Sequence, residues 1–131
     1  MFFPPRKIVE QIKNEYRPGD RVELISMDDP YRKIEPGTRG TVKDVDDTGT
    51  IHVRWDNHVS LGVVYGEDSC KKLDTVIVKC YGEEKQWDNR KEALEFFTKA
   101  MSACEGSEQE RYAKIVAELV SGKTICTDGE N

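Results

Sequence analysis

The chain has 131 residues, 37% of them hydrophobic and 34% charged, enough for one compact domain or a small barrel with an appended subdomain. Its formal net charge of −5 is spread along the chain, with 12 Lys/Arg against 14 Asp/Glu in residues 1–74 and 8 against 11 in residues 75–131. That balance argues against a dedicated nucleic-acid binder, which would carry a basic face, and no apolar run approaches the roughly 18 residues of a membrane span.

Phe2-Phe3 and Pro4-Pro5 precede RKIVEQIKNEY, in which Ile8, Val9, Ile12 and Tyr16 form one stripe of an amphipathic helix. Pro5 suits its first turn and Pro18-Gly19 stops it. Short alternating runs follow, separated by turn residues. Arg21–Met27 reads as a half-buried strand with Val22 and Leu24 on one face. Asp28-Asp29-Pro30 ends it, and the polar stretch to Pro36 is expected as an ordered loop. Gly37-Thr38-Arg39-Gly40 leads sharply into a strand over 41–45. Asp46-Asp47-Thr48-Gly49 is a hairpin signal, and Thr50–Trp55 is the returning strand, with Ile51, Val53 and Trp55 on one side. Asp56-Asn57 begins another turn, Leu61–Tyr65 is a further strand, and Gly66–Ser69 closes the unit. About fifty-five residues of short strands suit an SH3-like barrel better than an immunoglobulin-sized sandwich.

The ordered set Gly19-Asp20-Arg21-Val22, Met27-Asp28-Asp29-Pro30-Tyr31, Pro36–Val42 (PGTRGTV), Val53-Arg54-Trp55-Asp56-Asn57 and Gly66-Glu67-Asp68 resembles an uncharacterised SH3-like domain family. That family, a domain of unknown function, is encoded mostly by phages and conjugative elements of Gram-positive gut bacteria. The same motif order is also similar to SH3-like modules of eukaryotic ubiquitin ligases. The resemblance implies a fold, and for function it implies a mobile-element protein, with an anti-CRISPR inhibitor as a specific version. The sequence departs from the family's tight WDNG turn by having His58 after Asn57. Histidine accepts a positive φ less readily than glycine, so a wider or partner-facing turn is expected there.

Beyond a linker at Lys71–Asp74, Thr75–Tyr81 is β-branched and strand-like, Gly82–Glu84 is a turn, and Lys85-Gln86-Trp87 is a short partner strand. Asn89–Glu92 has the form of a capping box for a helix whose apolar face is Ala93, Leu94, Phe97, Ala100, Met101 and Cys104, stopped by Gly106. Ser107–Glu110 is a second box, opening a helix that presents Tyr112, Ile115, Val116, Leu119 and Val120 and ends at Gly122. So short a connection makes an antiparallel αα-hairpin, and Thr124–Thr127 is placed to return beside Thr75–Tyr81. The expected class is therefore α+β: an N-terminal helix over 1–18, a small SH3-like β-barrel over 19–74, and a ββαα subdomain over 75–131.

Chemistry is thin. His52 and His58 with Cys70, Cys80, Cys104 and Cys126 show neither the C-x-x-C pair nor the close His pair of structural zinc, and no Walker or G-x-G-x-x-G loop is present. No metal and no cofactor is expected. The paired carboxylates (Asp28-Asp29, Asp46-Asp47, Glu67-Asp68, Glu83-Glu84) all fall in turns. Cys80 and Cys104 read as small buried residues and Cys70 as the most exposed thiol. Wide cysteine spacing and an N-terminus without a basic region before an apolar core point to reduced thiols in a cytoplasmic, signal-less protein.

Aromatic side chains lining a groove between loops are the usual means by which SH3-like barrels bind peptides. The expected partner-binding residues are Tyr31, Arg32, Lys33 and Arg39 in one loop system, with Trp55, His58 and Tyr65 at strand ends; for Trp55 the reading as a core plug of a small barrel is the favoured one. The expectation is a non-enzymatic protein-interaction module that modulates or inhibits another protein, a CRISPR effector being one version. One alternative is a nucleic-acid accessory using the Arg32–Arg39 loop and Lys71-Lys72. Another is an enzyme with a reactive Cys70.

Overall fold

The computed structural model describes residues 4–28, 31 and 34–129, which form a mixed α+β protein with three helices and eight strands. The chain divides into two compact units, the first ending at Leu73 and the second starting at Asp74. No helix among the described residues is long and apolar enough to cross a membrane.

The first unit begins with α1 (Arg6–Glu15), for which Pro5 stands at the N-cap position. Val9 is buried and Ile12 and Tyr16 pack against the unit's core, so the apolar stripe read from the sequence is a docking face of the unit itself. Five strands follow: β1 (Arg21–Ser26), β2 (Arg39–Val45), β3 (Ile51–Trp55), β4 (Ser60–Val63) and β5 (Ser69–Lys72). They make one antiparallel sheet in the order β4-β3-β2-β1-β5. The register slips between Leu24 and Ser26 and between Val42 and Asp44, and such irregularities bend a sheet. The sheet does not close into the expected barrel, because β4 and β5 remain its two ends.

The core of this unit gathers Val22, Leu24, Met27, Ile34, Val42, Ile51, Val53, Trp55 and Val63. Trp55 is 1% exposed and donates its indole N–H to Leu61 O at 3.1 Å, which satisfies the one polar atom it brings inside. Gly40 makes room for it: a Cβ there would lie 2.9 Å from Trp55 Cε3 and 2.6 Å from Val53 Cγ1. Gly49 does a related service for α1. It turns with φ +80°, and a Cβ on it would stand 3.1 Å from Pro4 and 3.4 Å from Ile12.

β5 was hidden in the sequence, where Ser69–Lys72 reads as turn and linker. It forms because Cys70 points to the core while Lys71 pairs with Glu23 of β1 at 3.3 Å, so long-range pairing overrides a polar local composition.

The second unit packs β6 (Val76–Cys80), β7 (Glu83–Trp87) and β8 (Ile125–Thr127), in the order β7-β6-β8, with α2 (Arg90–Ala103) and α3 (Gly106–Val120). β8 does return beside β6, and it runs parallel to it. Val76, Val78, Ala93, Phe97, Ile115, Leu119 and Cys126 form a separate core. The Asn89 side chain caps α2 by accepting from Lys91 N, as the sequence indicates. The second box is not used: α2 ends at Ala103, Gly106 is the first residue of α3, and Glu105 takes the N-cap position without a side-chain bond.

Arg90 joins the two helices. Its Nη1 donates to Leu119 O and Lys123 O, both at 2.8 Å, its Nη2 to Gly122 O at 3.3 Å, and its Nε to Asp74 Oδ2 at 2.7 Å. Carbonyls at a helix C-terminus lack intrahelical donors and carry partial negative charge, so a guanidinium there is favourable on both counts. Arg90→Leu is expected to lower unfolding stability by about 2–3 kcal/mol in urea titrations followed by circular dichroism, with Arg90→Lys recovering part of it.

Candidate functional site

The loop 27–38, between β1 and β2, is the longest connection of the first unit and carries the most exposed aromatic residue of those described. Its first residue, Met27, is buried, and Ile34 is fully buried in the core, so the loop is stapled by two apolar side chains. Backbone bonds hold its return: Gly37 N donates to Leu24 O at 2.8 Å and Leu24 N to Thr38 O at 2.9 Å. Tyr31, between the staples, is 87% exposed. Buried apolar residues thus stand on both sides, in sequence, of a large aromatic residue that is left in water.

At one end the loop adjoins the β3–β4 turn. Arg39 O accepts from Asp56 N at 2.9 Å, and Arg21 clamps the Asp56 carboxylate through two bonds of 2.8 and 2.7 Å while also donating to Thr41 Oγ1 at 3.0 Å. Within the turn Trp55 N donates to Val59 O, His58 N to Trp55 O, and Val59 N to the Asn57 side chain. Of the two expectations, a wider or a partner-facing turn, the first is not met: the turn is tight, and His58 itself adopts the left-handed conformation, φ 72°. A non-glycine residue there costs on the order of 1–2 kcal/mol. The side chain is exposed.

At the other end Asp28 N donates to Asp68 Oδ1 at 2.8 Å, and Asp68 Oδ2 accepts from Val64 N at 2.9 Å. One carboxylate thus ties the loop to the turn 64–68, which carries Tyr65, 37% exposed. Beside this tie lies a pocket of about 250 Å³, lined by Ile12, Tyr16, Ile51, Val63, Tyr65 and Cys70 among others. Tyr31, His58 and Tyr65 therefore belong to one loop and the two turns bonded to its ends, and Arg39 opens β2 just beyond it. Arg32 and Lys33 lie outside the described residues.

Three expectations are corrected. Trp55 cannot line a groove: it is the core plug, sealed by Gly40. Cys70 is not the exposed thiol. It packs on the core, burial pushes its thiol up to about 11, and the nearby Glu15 charge adds to that against a hydrogen bond with Tyr16. Tyr16 is likewise pushed up to about 12, by burial first. Cys104 is half-buried as the C-cap of α2 and so does not sit within the helix face.

The cations of this region that lie among the described residues are paired with carboxylates. Arg39 pairs with Glu23 at 3.2 Å, Lys71 with the same carboxylate, and Lys72 with Asp20 at 3.2 Å. Burial opposes ionisation of Glu23, but the bonds from Lys71 and Arg39 outweigh it and hold its carboxyl below the usual range. Asp46 behaves similarly: burial opposes its charge, yet Thr48, His52 and the backbone N–H groups of Thr48 and Thr50 hold it well below the carboxylate range. This is turn chemistry of the Asx type, as the sequence indicates. Among the described residues no three His, Cys, Asp or Glu converge as metal ligands.

Sequence reasoning missed Asp68 as the tie and Ile34 as the staple. The first reads as one more turn acid and the second as an isolated apolar residue in a polar loop.

Two measurements follow from this geometry. His58→Gly is expected to stabilise the protein by about 1 kcal/mol, read as a higher urea midpoint at unchanged slope. Cys70 in the native protein is expected to alkylate with iodoacetamide on the order of 50–100-fold more slowly than a free thiol at pH 9, accelerating as the pH climbs toward 11.

A comparison with curated proteins finds no match. The family model described as a domain of unknown function, DUF4314, matches residues 5–73, which takes in α1 and all five strands of the first sheet. That is more than half of the chain, and the protein belongs to the DUF4314 family.

Proposed function

We propose that the protein is a non-catalytic interaction module that binds another protein in the cytoplasm through the 27–38 loop and its two flanking turns. The observation that carries this reading is Tyr31, 87% exposed on a loop held by Met27, Ile34 and Asp68. Exposed aromatics on preorganised surfaces are where interface energy concentrates. His58 adds weight, since a strained, exposed side chain is retained at a cost to stability.

The fold of the first unit is read here as a half-open SH3-like barrel. In support, β1 to β4 pair as successive neighbours, β5 returns to β1, and two irregularities bend the sheet. The sequence resemblance to phage and conjugative-element domains makes a host defence effector, such as a CRISPR nuclease, the partner to test first. Against catalysis by Cys70 stands its raised thiol pKa; against a nucleic-acid surface stands the pairing of Arg39, Lys71 and Lys72 with carboxylates.

The test is an affinity pull-down from a bacterial lysate containing a CRISPR effector, with and without nuclease. Stoichiometric capture that survives nuclease and weakens at least tenfold with Tyr31→Ala is the expected result. His58→Gly should weaken capture while raising stability, a combination that a purely structural His58 cannot produce. Capture that disappears with nuclease overturns the proposal in favour of nucleic acid.

A further inference from the structure

The second unit carries an aromatic face of its own. The Trp87 ring, at the end of β7, lies 5.3 Å from Phe96 and 5.8 Å from Phe97, and Phe97 lies 6.1 Å from Tyr112. Tyr81 meets Tyr112 edge-on at 6.4 Å. Together these rings line a groove of about 230 Å³. Phe96 is 54% exposed and Tyr81 52%.

Two features define what this groove would take. The first is that the chain already sets a cation on its rings: Lys85 Nζ stands 4.1 Å from the Trp87 ring centroid, as the Arg111 guanidinium does over Tyr81. Arg111 is locked in place by Asp128, whereas Lys85 is exposed on a flexible stem and exchangeable. The second is that β7 is an edge of its sheet, and it presents Glu83, Lys85 and Trp87 to the groove at alternate positions. Glu83 on this strand and Glu108, which accepts from Tyr81 OH at 3.2 Å, set two carboxylates beside the rings.

We infer that the groove binds an extended, basic peptide segment of a partner protein, which adds to the β7 edge and sets an arginine or lysine side chain on Trp87 in the place Lys85 holds. Backbone pairing supplies the affinity and the aromatic cleft selects the cation. The groove is built from residues of the second unit alone, so this inference stands or falls independently of the reading above.

The test uses the full ¹⁵N-labelled chain, titrated with a capped octapeptide alternating Arg and Val and with the same peptide carrying Glu for Arg. The Trp87 indole N–H is buried and makes no hydrogen bond among the described residues, so its resonance reports on the ring directly. Saturable shifts at that resonance and at the amides of residues 83–87 are expected with the Arg peptide alone. Lys85→Met keeps the stem and removes the competing ammonium, and should tighten binding about threefold. Phe96→Ala, at an exposed position that the fold tolerates, should weaken it about tenfold, and Tyr31→Ala should leave it unchanged. No shift with the Arg peptide, equal shifts with the Glu peptide, unchanged or weaker binding by Lys85→Met, or the same shifts produced by a DNA oligonucleotide each overturns the inference.

Discussion

Between the ends of its first sheet the protein has no β ladder, and the Asp68 carboxylate spans the interval, accepting from Asp28 N on one side and Val64 N on the other. A ladder would have fixed many residues and buried their backbone groups; a bidentate acceptor fixes two, and leaves the pocket beside it open to solvent. The loop 27–38 starts at that acceptor and ends at a β2 that Arg21, Asp56 and Arg39 hold in register. Tyr31 is thus displayed from a connection between two paired neighbours, β1 and β2, whose first residue is tied to the turn 64–68 by one carboxylate.

The same economy shows in the two non-glycine residues with positive φ among the described residues, His58 at 72° and Tyr81 at 54°. Tyr81 is restrained on every side: its N–H donates to Asp128 at 2.8 Å, Arg111 covers its ring, and its hydroxyl meets Glu108. Those contacts offset the strain of the Tyr81-Gly82 turn. His58 has its turn held by backbone bonds and by the Arg21–Asp56 clamp, while its side chain stands in solvent. Where the strained side chain contributes to packing, the conformation is explained by stability. Where it does not, the turn's own hydrogen bonds carry the strain, and the exposed side chain is left for the contact role proposed above.

Much of the fold was legible because its signals are local. The α1 stripe, the Asp46–Gly49 hairpin and the Asn89 cap are patterns of a few residues, each with its own geometry. What could not be read was set by distance. β5 is a strand because of Glu23, some fifty residues earlier in the chain, and a barrel rather than an open sheet was expected because strand spacing says nothing about which edges meet. The site was half legible for the same reason. Tyr31 and His58 stand out as an aromatic in a polar loop and a histidine where glycine is usual, whereas Trp55 looked the same whether plug or groove wall until Gly40 was found against it. The groove of Trp87 and Phe96 is assembled from β7 and α2 and had no motif to mark it.

Charge bears on the kind of partner. The net −5 would suit a phosphate mimic if the carboxylates stood free on one face. Several of them are instead spent on structure: Asp20 and Glu23 hold Lys72, Lys71 and Arg39, Asp46 closes a turn, Asp56 and Asp74 clamp Arg21 and Arg90, and Asp128 sits buried under Arg111. Paired charges produce a short-range field that salt screens within about 10 Å, too weak to steer a nucleic-acid-binding protein from afar. Neutralised cations fail as a phosphate-binding surface for the same reason. On the reading proposed above, the aromatic side chains left in water would do the recognising, at contact and through shape and burial, which suits a folded protein surface better than a polyanion.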